Sequence, residues 1–143
     1  MLSRGIDIYK KRVNMSILEY SNIDIYILVI YLRRSIMTNV IELNDVNFDS
    51  EVKRSTQPVL VDFYATWCGP CRKQLPIMDE VAKEFASKAR ITKMNVDDGK
   101  IKAAEFGISS IPALLVFKDG KVAEKLVGLH SQNQLSSILN KYL

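Results

Sequence analysis

A chain of 143 residues, 48% apolar and 25% charged, has room for one hydrophobic core, and two cysteines are too few for the multi-bridge framework of a small secreted domain. The formal charge of +4 is unevenly spread, because residues 1–36 hold six basic and three acidic groups whereas residues 37–143 hold 14 and 13. The later part has no basic run interleaved with aromatics, so nucleic acid is not an expected partner.

Residues 1–36 are rich in Ile, Tyr, Arg and Ser without a clear amphipathic period. The apolar run Ile25 to Leu32 is shorter than the ~20 residues that span a bilayer, so no membrane partner is expected. Arg33 and Arg34 stand where a secretory signal has small cleavage-site residues. Arginines and serines fit an organellar transit peptide, but three acidic residues count against one. Three readings stay open for this extension, which is expected to be disordered: sequence upstream of a start at Met37, a targeting leader, and a structural or membrane segment.

From Met37 onward, strand-like and helix-like segments alternate, the signature of an α/β domain. Val40 to Leu43 is a short strand, and Asn44 or Asp45 caps a helix to about Ser55. Val59 to Tyr64 is nearly continuously apolar and β-branched, which predicts a central strand buried on both faces. After Cys68-Gly69-Pro70-Cys71, Leu75, Met78, Val81, Ala82 and Phe85 recur at helical spacing. Pro76 is expected to kink that helix without ending it. Ile91 to Val96 reads as a strand, Lys100 to Phe106 as a short helix ended by Gly107, and Ala113 to Lys118 as a strand. Asp119-Gly120 signals a two-residue hairpin into a strand from Lys121 to Leu129. Ser131 with Gln134 forms a capping box for a last helix ending near Leu143, with Leu135, Ile138 and Leu139 inward.

The cysteines therefore mark a strand-to-helix junction. Unpaired amides and the dipole at a helix start favour an anion, which makes Cys68 a nucleophile near neutral pH. Cys71 lies one turn further in, and residues at i and i+3 are close enough for a disulfide. Gly69 lets a partner chain approach closely, and Pro70 removes freedom from the turn. Zinc would need two further ligands, and His130 is the single histidine, so no metal is expected. Two ordinary buried thiols at accidental spacing are the bland alternative, but a buried strand before the pair and an amphipathic helix after it favour a redox role.

Asp62 is a carboxylate within an apolar strand whose two faces both look dry. Burial would raise its pKa and suit it to accept a proton from Cys71, whereas a half-exposed strand would make it an ordinary surface acid. Lys93, at the start of the neighbouring strand, is either its partner or a surface lysine. Ile111-Pro112 opens a strand, and its residues alone do not distinguish a cis bond from an edge-strand proline.

The segment Val61-Asp62-Phe63-Tyr64-Ala65-Thr66-Trp67-Cys68-Gly69-Pro70-Cys71 resembles the active-site segment of thioredoxins. Ile111-Pro112, the apolar strand after it and Lys118-Asp119-Gly120 resemble their later half, so the similarity covers residues 37–143. The resemblance implies the thioredoxin fold, a central mixed β-sheet flanked by α-helices, and a monomer that reduces disulfides in other proteins. It implies Cys68 as attacking and Cys71 as resolving thiol, closing a Cys68–Cys71 disulfide. It further implies a cis Pro112 facing the cysteines, Asp62 assisting Cys71 through a water, Lys93 tuning Asp62, and Trp67, Ile111 and Gly128 shaping the substrate groove beside Gly69 and Pro70.

No cofactor is expected on this chain, which has no Gly-rich nucleotide loop. A thioredoxin reductase fed by NADPH is the implied source of electrons, and disulfide-containing proteins are the implied substrates. The expected location is the cytoplasm, or an organelle if residues 1–36 are a transit peptide. Two departures stand out: Tyr64 where many relatives have a second Trp, and Ala113 where many have Thr. Two rival readings are a redox-independent scaffold using the same surface, and a tethered or exported reductase that uses residues 1–36.

Overall fold

The computed structural model describes residues 25–30 and 40–143. The chain divides into two units, Met1–Met37 and Thr38–Leu143. In the first, residues 25–30 are helical; the expected disorder of the rest of residues 1–36 concerns positions outside the described residues. No helix among the described residues is long and apolar enough to cross a membrane.

In the second unit, five strands make one sheet in the order β1-β3-β2-β4-β5. They are β1 (Val40–Leu43), β2 (Val59–Tyr64), β3 (Arg90–Asn95), β4 (Ala113–Lys118) and β5 (Lys121–Val127). β3 runs parallel to both β1 and β2, whereas β4 is antiparallel to β2 and β5 to β4. The helices are α1 (Gly69–Glu84), α2 (Lys100–Glu105) and α3 (Gln132–Asn140), with a shorter helical turn at Asp49–Lys53.

All six residues of β2 are buried, as its apolar run predicts, because strands flank both edges and helices cover both faces. Side chains alternate along β2, and the core divides accordingly. Leu60 packs with Leu114, with Met78 and Val81 from α1 and Phe85 at its C-cap, and with Leu135 and Leu139 from α3. Val59, Val61 and Phe63 pack on the opposite face with Phe48, Val52, Ala103 and Phe117. Phe106 closes that side, its ring centroid 5.3 Å from those of both Phe48 and Phe117. Asp62 and Tyr64 fall on the face of Leu60, under α1.

Element boundaries depart from the sequence reading by more than one residue in three places. The first helix is a short turn over Asp49–Lys53 that does not reach Ser55. Asn44 caps the turn just before it, accepting from the amides of Val46 and Asn47, and the Asn47 side chain accepts from Asn44 in return, whereas the helix itself starts after Phe48 without a side-chain cap. Its far end stops early because Gln57 precedes Pro58, which disfavours helical backbone. The Gln57 amide donates instead to Ser55 Oγ. β5 ends at Val127, not Leu129, since Gly128 turns the chain with φ +89° and donates its amide to Pro112 O at 2.8 Å. The last helix carries both bonds of its capping box but closes at Asn140, where Lys141 and Tyr142 bond back three residues.

Candidate active site

The chain leaves β2 at Tyr64 and folds back, Cys68 N donating to Ala65 O, so that Cys68 arrives as the N-cap of α1 with extended backbone. Its carbonyl accepts the first intrahelical bond, from Arg72 N, and its sulfur accepts from Cys71 N at 3.3 Å, an amide left open by the helix start. Pro70 occupies the first turn, where a missing N–H has no intrahelical partner to lose. Cys68 and Cys71 are joined by a disulfide, their Cα atoms 5.3 Å apart. The two are not equivalent: Cys71 is fully enclosed, and Cys68 retains 6% of its surface.

A second segment meets the disulfide from β4. The Ile111–Pro112 peptide is cis, as the resemblance implies, and Ile111 O lies 3.9 Å from Cys68 Sγ. Beside them runs a groove of about 570 Å³ lined by Gly69, Pro70, Ile111, Pro112 and Gly128. Lys73 and Leu129 complete it; Lys73 was hidden in the sequence because it lies on the exposed face of α1. Trp67 stands outside this lining, 68% exposed, with its indole N–H donating to Asp97 Oδ2 at 3.0 Å.

Asp62 is wholly buried, and neither carboxylate oxygen has a hydrogen-bond partner among the described residues. Loss of hydration pushes its pKa from 3.8 up to about 7, an effect that the charge of Lys93 partly offsets. Lys93 is the register neighbour of Asp62, but its ammonium is paired elsewhere, 3.2 Å from Glu42 of β1. Glu42 was missed because its place beside Lys93 depends on the parallel pairing of β1 with β3. Within β1, its alternation with Leu43 gives only the face. The Tyr64 phenol donates to Glu42 at 2.9 Å. Its pKa is raised by burial first, then by that bond and by the charges of Glu42, Asp98 and Asp62.

A disulfide spanning one helical turn, with one sulfur at the surface and its mate beneath, can be opened by an outside thiol and reclosed without moving the backbone. The class so defined is a thiol-disulfide oxidoreductase. The family model for thioredoxin matches residues 39–141. The thioredoxin of Haemophilus influenzae is 46% identical over 107 residues, which is 75% of this chain and all of the relative. That of Pyropia yezoensis is 45% identical over 105 residues and that of Staphylococcus aureus 42% over 104, each covering 73% of this chain and 98% of the relative. The chain belongs to the thioredoxin family, and it is a protein-disulfide reductase that works by dithiol-disulfide exchange through Cys68 and Cys71. Disulfide-bearing proteins and a thioredoxin reductase are the partners that membership implies in general.

Proposed function

We propose that Cys68 is the attacking sulfur and Cys71 the resolving one. The unequal exposure of the two supports this most directly, since an incoming disulfide has access only to Cys68. In the reduced protein the start of α1 favours the Cys68 thiolate. That thiolate attacks one sulfur of the substrate disulfide, forming a mixed disulfide and releasing the other substrate sulfur as a thiolate. Asp62 then takes the Cys71 proton, the Cys71 sulfur attacks Cys68, and the second substrate sulfur leaves. The chain ends oxidised by two electrons and the substrate reduced by two.

In this reading an extended substrate segment lies in the groove of Ile111, Pro112, Gly128, Gly69 and Pro70, with Trp67 on its far border. Lys93 moderates Asp62 through its charge. A thioredoxin reductase drawing on NADPH restores the dithiol, and the cytoplasm, where thiols are kept reduced, is the compartment that suits such a donor. Cys68→Ser is expected to abolish reduction of insulin disulfides, and full retained activity would overturn the assignment. Cys71→Ser is expected to accumulate mixed disulfides with substrates; mass spectra without such adducts would remove Cys71 from the resolving role.

A further inference from the structure

Across the α1 face of the sheet, strand register sets three charged residues in a row. Glu42 of β1 stands beside Lys93 of β3, and Lys93 stands beside Asp62 of β2. Lys93 is thus flanked by two carboxylates, and it pairs with the outer one, 3.2 Å from Glu42 Oε2. The other oxygen of Glu42 accepts from the Tyr64 phenol at 2.9 Å, and the Lys93 ammonium lies 5.6 Å from the Tyr64 ring centroid. Glu42, Lys93 and Tyr64 therefore each touch the other two. Asp62 is left without a bond to either oxygen among the described residues.

The remaining neighbours of Asp62 do not supply a compensating charge. Leu114 stands beside it from β4. α1, packed over this face, turns Cys71 and Gln74 inward, and Gln74 is occupied with the backbone of His130. Asp98 acts on the Tyr64 phenol as a further acid. Among the described residues, Lys93 is the cation whose charge lowers the Asp62 pKa, and where its ammonium sits governs how readily Asp62 takes a proton.

We propose that Glu42 is a positioning residue for the resolving half of the reaction: with Tyr64 it holds the Lys93 ammonium toward the outer edge of the sheet, leaving Asp62 free to take the Cys71 proton. A lysine turned fully onto Asp62 would stabilise its carboxylate and weaken it as a base. The inference rests on the reading of Asp62 as proton acceptor, and it adds the residue that sets the strength of that acceptor. Glu42 is half exposed, so its pair with Lys93 adds little to stability, and Glu42→Gln, which keeps an oxygen to accept from Tyr64, is expected to leave the fold intact.

The test uses the full chain in its disulfide form, where neither cysteine titrates, with the Asp62 carboxyl followed by carbon-13 NMR against pH. Glu42→Gln is expected to lower the Asp62 midpoint by about one unit as Lys93 turns inward. The acid limb of insulin reduction by the reduced protein is expected to move down with it. In a Lys93→Met background, the same Glu42→Gln change is expected to shift the midpoint by less than about a third as much, since no ammonium is left to redirect. An unmoved midpoint in Glu42→Gln overturns the proposal, as does an equal shift with and without Lys93. Asp62→Asn separates the two levels: an acid limb that persists in this variant removes Asp62 from the acceptor role, whatever Glu42 does to its midpoint.

Discussion

Holding Asp62 among apolar neighbours has a consequence for stability that can be measured apart from catalysis. Its pKa is near 3.8 in the unfolded chain and about 7 in the folded one, so between those values the folded state binds the extra proton. Stability contributed at this site is therefore present below about pH 4 and is lost as pH rises through 7. Asp62→Asn removes the titration. Relative to the parent, the variant is expected to gain about 4 kcal/mol in unfolding free energy between pH 4 and pH 8.5, an upper bound set by the shift. Urea titrations of the oxidised protein at the two pH values measure it, and a difference independent of pH would contradict the burial account. Asp62 was legible in the sequence because apolar residues bracket it on both faces of β2. The engagement of Lys93 by Glu42 was not, because no local pattern encodes which strand lies beside which.

At the scale of elements, local chemistry specified the turns and caps more firmly than it specified helix lengths. Asp119 and Gly120 both adopt positive φ, 51° and 76°, the combination a two-residue hairpin demands and the Asp-Gly pair predicts. A Cβ on Gly120 would also lie 2.6 Å from Lys53 O. Gly120→Ala is expected to cost at least about 1 to 2 kcal/mol, whereas Gly69→Ala, with open space around its Cβ position, is expected to stay within about 0.5 kcal/mol in the same denaturation assay. Ser131→Ala removes one half of the capping box of α3 and is expected to cost about 1 kcal/mol, seen as a fall of about 5 °C in Tm. Gly120 thus lies close against Lys53, far from it in the chain, while the end of the Asp49–Lys53 turn is set by Pro58 beyond it and not by its own residues.

At the scale of the whole molecule, the strand order places the chemistry. β3 enters the sheet between β1 and β2 by a crossover through α1, and β4 joins the opposite edge of β2 in the reverse direction. The carboxyl end of β2 is thus where the connections part, the usual location of a site in such sheets, and Cys68 sits there with Pro112 brought in from β4. The alternation of segments from residue 37 onward predicted the α/β class, but the parallel or antiparallel sense of each pairing is a long-range property. Disulfide exchange of this kind turns on the two sulfurs being chemically unequal. Alkylation of the reduced protein across pH, with each site mapped by mass spectrometry, tests that inequality directly. Cys68 is expected to react first, with a midpoint well below the ~8.5 of a free thiol, while Cys71 stays unmodified. Labelling of Cys71 as fast as Cys68, or a Cys68 midpoint at or above that of a free thiol, would contradict it.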